Sequence, residues 1–327
     1  MGGDFGPRIT IPAAIRVANA SPKLELVLVG DQEQLQPYLA SAESSVLKRI
    51  RVVHASDVVS MQDKPAQVLR SKQQSSMWLA LELVKKGEVD ACVSAGNTGA
   101  LMAMGKFLLK TFPGIDRPAI CKPVPSANGH CYMLDLGANV KCHSEQLLQF
   151  AVMGSVLASA VDNNQAPTVG LLNIGEEDIK GNEQVKLASR LLADSDQVNY
   201  IGYVEGDGIY HGAADVVVCD GFTGNVVLKA SEGVAKLLAI RVESILKSSW
   251  YGRIVGQIAR PLLLEWQTQF DPARYNGASF LGLQGTLIKS HGGADAEGFA
   301  FALTMAKEQV EKQIPLRINE QFAALTL

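Results

Sequence analysis

The sequence predicts an α/β protein built on a mostly parallel β-sheet with helices on both faces. Short apolar runs rich in Val, Ile and Leu alternate along the chain with longer stretches whose apolar residues recur at helical spacing. Several of the apolar runs end in glycine, which marks the turn out of a strand. This alternation, over 327 residues, is typical of parallel strands joined by crossover helices.

The individual elements follow from the same periodicity. The segments predicted to be strands are 23–30, 49–55, 89–96, 131–137, 168–175, 198–206 and 215–221. The segments predicted to be helices between them are 65–86, 98–111, 143–160 and 183–194. The sequence contains no internal repeat and no low-complexity tract.

The alternation of strands and helices stops after the last predicted strand. A long helical pattern at 226–249 is followed by residues 250–266, where glycine and proline interrupt a second apolar helical pattern. The chain then returns to a pair of short glycine-rich strands within 275–295 and ends in helix. We therefore predict one α/β domain over residues 1–327 with a helical protrusion at about 226–270.

The composition argues against several classes of protein. A net charge of −3 argues against general nucleic-acid binding, which requires a basic surface. The five cysteines include no CxxC pair and the five histidines no HxxxH pair, so we expect a reducing cytoplasm and no metal site. The dinucleotide fingerprint GxGxxG is absent, so no nicotinamide cofactor is expected. No apolar run approaches the roughly 18–20 residues of a membrane-spanning helix.

Four polar, glycine-rich loops follow predicted strands, at 92–102, 134–140, 171–183 and 219–229. In open α/β sheets ligands bind at the carboxyl ends of the strands. Glycine lets the backbone approach a ligand, and a helix N-terminus offers N–H groups and the positive end of its dipole, so the combination favours an anion such as phosphate. A glycine at a strand–helix junction is often needed only for the geometry of a tight turn. Four such loops in one chain nevertheless favour an anion-binding site.

The motifs in these loops and beyond them resemble those of the PlsX-type phosphate acyltransferase family. In chain order they are MGGDFGP, SSMWLALELVKKGEVDACVSAGNTGALM, GIDRPA, LDLGANV, FAVMGSV, LLNIGEEDIKGNE, DGFTGNVVLK and YNGASFLGLQGTLIKSHG. The resemblance covers nearly the whole chain. It implies a Rossmann-like αβα sandwich, related to phosphotransacetylases and isopropylmalate dehydrogenases, and a homodimer. The family also places a strand ending in aspartate before MGGD, and we expect that strand to be missing from residues 1–327.

The resemblance also implies a reaction. Inorganic phosphate attacks the thioester of a fatty acyl–acyl carrier protein and gives acyl phosphate and free carrier protein. A membrane glycerol-3-phosphate acyltransferase then uses the acyl phosphate in phospholipid synthesis. Phosphate carries its own negative charge and a thiolate leaves readily, so the site needs proximity and oxyanion stabilisation more than strong acid–base catalysis.

The residues that match these motifs form the candidate site. Lys180, Asn225 and Asn97 are expected to be catalytic, because a lysine and two amides can stabilise phosphate and the oxyanion. The expected substrate- and phosphate-binding residues are Asp4, Gly96, Thr98, Gly99, Asp135, Asn139, Gly175, Asp220, Thr223, Gly224 and His291. Asparagine and threonine at such junctions are also common helix N-caps, and a lysine in a polar loop is also common on the surface.

Two cysteines, Cys92 and Cys219, lie near the glycine loops, and thioester substrates invite a covalent cysteine mechanism. Both cysteines stand in apolar strand patterns, where cysteine is usually a small buried hydrophobic residue. No histidine is adjacent to either in the sequence. We therefore predict direct attack by phosphate without an acyl-enzyme.

The protrusion carries an apolar face at four-residue spacing, formed by Trp250, Ile254, Ile258 and Leu262. A dimer contact or an ordinary core would explain this apolar pattern as well as a membrane-binding surface would. The lipid product implied by the resemblance favours a tip that lies on anionic bilayers, so we expect a cytoplasmic protein peripherally associated with the membrane.

Acyl carrier protein is strongly acidic, and its docking site should be locally basic. The candidates on the long helix are Lys229, Lys236, Arg241 and Lys247, although a solvated helix face explains any one of them.

Three functions remain open on the sequence. The first is the acyltransferase, and the second is a non-catalytic protein that binds acyl carrier protein or acyl chains and regulates lipid synthesis. The third is a dehydrogenase on the related fold, against which the missing fingerprint argues. Phosphate-dependent release of free carrier protein separates the first two functions, and NAD reduction would reveal the third.

Overall fold

The computed structural model describes residues 1–40, 42–263 and 275–325. The principal helices are α1 Pro7–Ala20, α2 Gln32–Leu39, α3 Ser44–Leu47, α4 Pro65–Ser71, α5 Ser76–Lys85, α6 Thr98–Leu109, α7 Ser144–Asp162, α8 Glu183–Ala193, α9 Gly208–His211, α10 Gly221–Lys247, α11 Trp250–Ile258, α12 Ala296–Glu311 and α13 Ile314–Leu325. The strands are β1 Leu26–Gly30, β2 Ile50–His54, β3 Ala91–Ser94, β4 Ala119–Ser126, β5 Gly129–Leu134, β6 Thr168–Leu172, β7 Asn199–Val204, β8 Val216–Val218, β9 Ala278–Leu281 and β10 Thr286–Lys289.

Eight strands form the central sheet, in the order β3-β10-β9-β4-β5-β8-β6-β7. The pairs β3–β10, β5–β8, β8–β6 and β6–β7 are parallel, and β10–β9, β9–β4 and β4–β5 are antiparallel. Helices α4, α5 and α6 pack on one face and α7, α8 and α13 on the other, each over its own apolar cluster. The predicted α/β class with a mostly parallel sheet is confirmed.

Strand β4 is absent from the predicted elements. Its sequence, AICKPVPS, contains two prolines, which usually argue against a strand inside a sheet. In the structure, only Ala119–Cys121 pairs with β9, whereas the pairing with β5 extends to Ser126. Within the described strands, Pro123 and Pro125 therefore lie where one side of β4 has no neighbour and no ladder N–H is needed.

Strands β1 and β2 pair in parallel as a separate two-stranded sheet. A cavity of about 1000 Å³ lies between this sheet and the central one. The cavity is lined by Leu26–Val29 of β1 and by Ala91–Ala95, which belong to β3 and the turn after it, and Met1 lies at its wall. Within the described residues, β1 pairs only with β2 and β3 only with β10. The two strand edges therefore face the cavity without a partner.

Helices α10 and α11 form the described part of the predicted protrusion, whose residues 264–270 lie outside the described residues. Along α10 only Gly221 and Gly224 are buried. Helix α11 packs on the end of α10, where a Cβ on Gly252 would come within 2.8 Å of the Leu246 carbonyl oxygen. Among the described helices, none is long and apolar enough to span a bilayer.

Candidate active site

The Asp135 carboxylate organises one group of the candidate residues. It is fully buried at the end of β5. Its oxygens accept hydrogen bonds of 2.6–3.0 Å from the backbone N–H groups of Ile120, Ala138 and Asn139 and from the Asn139 side-chain amide. Burial raises the pKa of Asp135, and these four donors oppose the rise. Asp135 thus fixes the loop after β5, and the buried Asn139 shares in that task.

The start of α10 packs directly on this loop. A Cβ on Gly221 would lie 2.6 Å from the Asn139 carbonyl oxygen, and a Cβ on Gly224 would lie 2.1 Å from the Asp135 carbonyl oxygen. Both contacts are shorter than a side chain permits, so glycine is required at both positions. The glycines of DGFTGN therefore allow two backbone segments to pack closely against each other.

This packing corrects the predicted start of the helix. The glycine pattern suggests a loop up to Asn225, whereas α10 begins at Gly221 with Asp220 as its N-cap. The Asp220 carboxylate accepts hydrogen bonds from the N–H and the hydroxyl of Thr223, and the Gly221 N–H donates to the Asn139 carbonyl. The Gly221 and Thr223 N–H groups therefore donate to protein oxygens and are not available to a phosphate, and the anion site expected at this loop stays a prediction.

Asn225 lies in the second turn of α10 with its side chain exposed. It adjoins Gly137, where a Cβ would come 3.6 Å from the Asn225 Cβ. Gly137 has a φ of 117°, a backbone conformation that favours glycine. The Asn225 amide is thus presented to solvent beside the glycine turn of the Asp135 loop.

Asn97 is buried and holds a neighbouring segment. Its Oδ1 caps α6 by accepting from the Ala100 N–H, and its Nδ2 donates to the carbonyls of Ser60, Met61 and Asp63. Both ends of the amide are occupied, so Asn97 positions the segment 60–63 at this edge of the sheet.

The residues on either side of Asn97 also make close contacts. A Cβ on Gly2 would lie 2.7 Å from the Gly96 Cα, so the N-terminal MGGD motif and this turn touch through their backbones. Thr98 is exposed at the first position of α6, and Gly99 follows it against the Pro65 ring.

Lys180 is exposed in the loop between β6 and α8. This loop folds on itself: the Asn173 amide donates to the carbonyl of the buried Gly175, and the Lys180 N–H donates to the Glu177 carbonyl. Among the described residues, no hydrogen bond or ion pair joins Lys180 to Asn225. Lys180 and Asn225, the two residues expected to act on the substrate, therefore lie on separate elements, Lys180 in the β6–α8 loop and Asn225 on α10.

Asp4 and His291, which are far apart in sequence, meet at the end of β10. The Asp4 N–H donates to the Gly292 carbonyl at 2.9 Å, and a Cβ on Gly293 would lie 3.2 Å from the Asp4 carboxylate and 3.6 Å from the imidazole. The His291 Nδ1 accepts from the Gly293 N–H. The first and last family motifs thus form one wall of the site.

Lys289, which the sequence reasoning did not single out, lies next to this wall. It is only 8% exposed, and its Nζ donates to the carbonyls of Ala95 and Ser290. Burial lowers the pKa of Lys289 to about 8. The sequence does contain a sign of this residue, because a lysine stands at the end of the short run TLIK within the predicted pair of strands.

All five cysteines are buried and unpaired. Burial raises the pKa of Cys92 to about 12 and raises that of Cys219 well above its usual value. Both thiols are therefore protonated at neutral pH, which supports a mechanism without a cysteine nucleophile. Across residues 1–40, 42–263 and 275–325, no three His, Cys, Asp or Glu side chains are grouped as metal ligands would be.

Comparison with known proteins shows to which family the chain belongs. The model of a family described as "Fatty acid synthesis protein" matches residues 1–317. A protein of Methylococcus capsulatus named phosphate acyltransferase is 55% identical over 331 residues, which cover 100% of this chain and 97% of that protein. A Pseudomonas putida protein of the same name is 53% identical over 319 residues, covering 98% of this chain and 95% of the relative.

The fold is shared more widely than the sequence. A phosphotransacetylase structure from Streptococcus pyogenes superposes with a TM-score of 0.60 at 18% identity, covering 92% of this chain and 90% of that one. At that identity the likeness shows the fold alone. The family match and the curated relatives both extend over almost the whole chain, and the chain therefore belongs to the fatty acid synthesis protein family.

Proposed function

We propose that this protein transfers a fatty acyl group from acyl carrier protein to inorganic phosphate. The observation that carries the proposal is the 55% identity, over the whole chain, to a protein named phosphate acyltransferase. The fold supports it, because phosphotransacetylases use the same architecture. The product, an acyl phosphate, suits a membrane glycerol-3-phosphate acyltransferase as the next enzyme in phospholipid synthesis.

The chemistry needs few groups from the protein. A phosphate oxygen forms a bond to the thioester carbon, the carbon–sulfur bond breaks, and the departing thiolate takes the proton that hydrogen phosphate loses. Asn225 is suited to donate to the oxyanion because its exposed amide stands over the rigid Asp135 loop. Lys180 is suited to follow the phosphate, because a flexible ammonium adjusts as the anion moves toward the carbonyl. Asn97 acts as a positioning residue.

The proposal is tested by measuring free carrier protein and acyl phosphate as a function of phosphate concentration. Lys180→Ala and Asn225→Ala should each lower turnover by about 10²–10³, which is typical of losing one oxyanion donor. Both variants should unfold at the temperature of the wild type. Lys106→Ala, on the exposed end of α6, is the matched control and should keep full turnover. Turnover within a few-fold of the wild type in both site variants would place the chemistry elsewhere.

We propose a docking site for acyl carrier protein on α10. Lys229 and Lys247 already pair with Glu232 and Glu243 along the helix, which leaves Lys236 and Arg241 as the candidate contacts with an acidic partner. Lys236→Glu combined with Arg241→Glu should raise the KM for acyl carrier protein and leave the KM for phosphate unchanged. Equal changes in both KM values would show that acyl carrier protein does not dock on α10.

We propose that the protein is a homodimer that works at the cytoplasmic face of the membrane. Large apolar residues of α10 are exposed, among them Val234 (56%), Ile240 (62%) and Ile245 (67%). A second copy of the chain would cover such a surface, which monomeric proteins rarely leave open. Light scattering should give twice the chain mass of 35.0 kDa, and a monomer mass would refute the dimer.

A further inference from the structure

Three lysines and a histidine converge beside the early turns of α10. Lys122 on β4 and Lys229 on α10 lie against the Glu232 carboxylate, at 3.7 and 2.8 Å. Burial lowers the pKa of His291, and the nearby charges of Lys229, Lys289 and Lys122 lower it further, while Glu232 opposes them. We call Lys122, Lys229 and Lys289 the cationic cluster, and the lowered pKa of His291 keeps the imidazole beside it neutral.

The sheet register explains how two of the lysines come together. Lys289 of β10 is paired with Ala278 of β9, so both side chains project from the same face of the sheet. Ser279 is paired with Cys121, and Lys122 is therefore on the Ala278 face. Side chains of α10 join the apolar cluster that contains Ala278, so α10 lies over the face from which both lysines project.

The cationic cluster carries more positive than negative charge. In the described part of the chain, Glu232 is the one carboxylate within 4.0 Å of any of its nitrogens, and the negative charge of Asp4 acts on Lys289 from farther away. The Lys122 side chain is 14% exposed, and Lys289 as a residue is 8% exposed and donates only to carbonyl oxygens. Buried ammonium groups without a matching anion are costly, and binding an anion between them removes much of that cost.

The cluster lies next to a residue already assigned to the chemistry. Asn225, Lys229 and Glu232 stand at positions i, i+4 and i+7 of α10, which places them on one face of the helix. Neighbours four residues apart on a helix are separated by about 6 Å. The cluster therefore begins one helical turn from the Asn225 amide.

We propose that the cationic cluster binds a phosphate group of one of the two substrates, beside Asn225. The inference rests on the proposed acyl transfer and adds to it the residues that hold a phosphate group. Two sources offer that chemistry: inorganic phosphate, and the phosphodiester in the thiol-bearing arm of the carrier protein. Either one presents oxygens that lysine ammonium groups bind strongly.

Steady-state kinetics with both substrates varied distinguishes the two sources. Lys122→Met and Lys289→Met remove the charge and keep the apolar stem of each side chain, and Lys106→Met is the exposed control. Loss of one charge-assisted contact should raise one KM by about 10- to 100-fold. A rise in the KM for phosphate identifies inorganic phosphate, and a rise confined to the KM for acyl carrier protein identifies the phosphodiester. If neither constant changes in either variant, the proposal is wrong.

A second measurement does not depend on turnover. Thermal unfolding is followed with and without inorganic phosphate, and with and without carrier protein that bears its thiol arm. The ligand that occupies the cluster should raise the melting temperature of the wild type and not that of Lys122→Met or Lys289→Met. Without ligand, Lys289→Met should melt above the wild type, because it no longer buries an ammonium group.

The outcomes separate this inference from the proposed function. A melting temperature that falls in Lys289→Met, with the ligand shift retained in both variants, would identify a structural lysine and overturn the inference. If Lys289→Met does not fold, Lys122→Met supplies the same comparison. If the wild type transfers no acyl group to phosphate, the proposed function fails, while the ligand shift still tests whether the cluster binds a phosphate group.

Discussion

At the scale of single residues, the polar groups at the strand ends mostly bind the protein itself. The Asp135 carboxylate accepts four hydrogen bonds from its own loop and from Ile120, and both ends of the Asn97 amide are occupied. Asp220 caps the helix that follows it. These residues therefore give the site its rigidity, and the groups left to act on a ligand are exposed or cationic, such as Asn225, Lys180 and Lys289.

His130, at the opposite end of β5 from Asp135, provides a test of pH dependence. Its Nε2 lies 3.2 Å from an Asp162 oxygen, and this hydrogen bond is the chief reason that its pKa is raised above 6.5. A raised pKa in the folded state means that the charged pair stabilises the protein below pH 6.5 and that the stabilisation is lost as pH rises through the folded pKa.

We therefore expect His130→Gln to lower the melting temperature most at acidic pH. The difference from the wild type should be largest near pH 5.5 and should shrink by about pH 8.5. His211→Gln, at an exposed position on α9, is the control. A difference that is the same at every pH would show that the His130–Asp162 pair contributes no charge-dependent stability.

At the scale of elements, α10 links the sheet to the protrusion. Two of its glycines have opposite surroundings, one tightly packed and the other open. A Cβ on Gly224 would lie 2.1 Å from the Asp135 carbonyl oxygen, whereas a Cβ on Gly233 would have no neighbour within 4 Å. Gly224→Ala should lower the free energy of unfolding by about 1–3 kcal/mol, because the backbone must move apart. It should also lower turnover, since Asn225 moves with the helix.

Gly233→Ala is the matched control on the same helix. It should raise the free energy of unfolding by about 0.5–1 kcal/mol, because alanine is the better helix former and the site has room for a methyl group. Denaturant unfolding measures both variants. Equal stabilities would mean that the contact between α10 and the Asp135 loop does not hold the start of the helix in place.

At the scale of the whole molecule, the apolar surface of the protrusion is directed outward. Trp250, Ile254, Ile258 and Leu262 are 75%, 52%, 76% and 70% exposed. We propose that this tip lies on the bilayer, so Ile254→Asp combined with Ile258→Asp should abolish co-sedimentation with anionic vesicles while turnover in solution is retained. The control, Leu187→Asp combined with Ile201→Asp, removes two apolar residues exposed elsewhere, at 44% each. Unchanged co-sedimentation in the tip variant would exclude this surface as the membrane contact.

The sequence by itself determined the fold class and most of the elements. Seven strands and three helices lie within or close to their predicted ranges, because the spacing of their apolar residues follows which side chains are buried. These elements are β1, β2, β3, β5, β6, β7, β8, α6, α7 and α8. The family motifs pointed to the glycine loops, and the comparisons confirmed the family. The predicted helix at 65–86 is two helices, α4 and α5, since periodicity does not show a short break.

Only the tertiary structure decided which side chains meet. The two prolines of β4 concealed it in the sequence. The order β10-β9-β4 places Lys122 two strands from Lys289 on the same face of the sheet, although the two lysines are 167 positions apart in the chain, and no local pattern reports this. The glycines of DGFTGN look in sequence like a phosphate loop, yet the loop after β5 requires them, because a Cβ on Gly224 would lie 2.1 Å from the Asp135 carbonyl oxygen and a Cβ on Gly221 2.6 Å from the Asn139 carbonyl oxygen. Periodicity records whether a residue is buried, whereas its partner depends on strand order and register, which are properties of the folded chain.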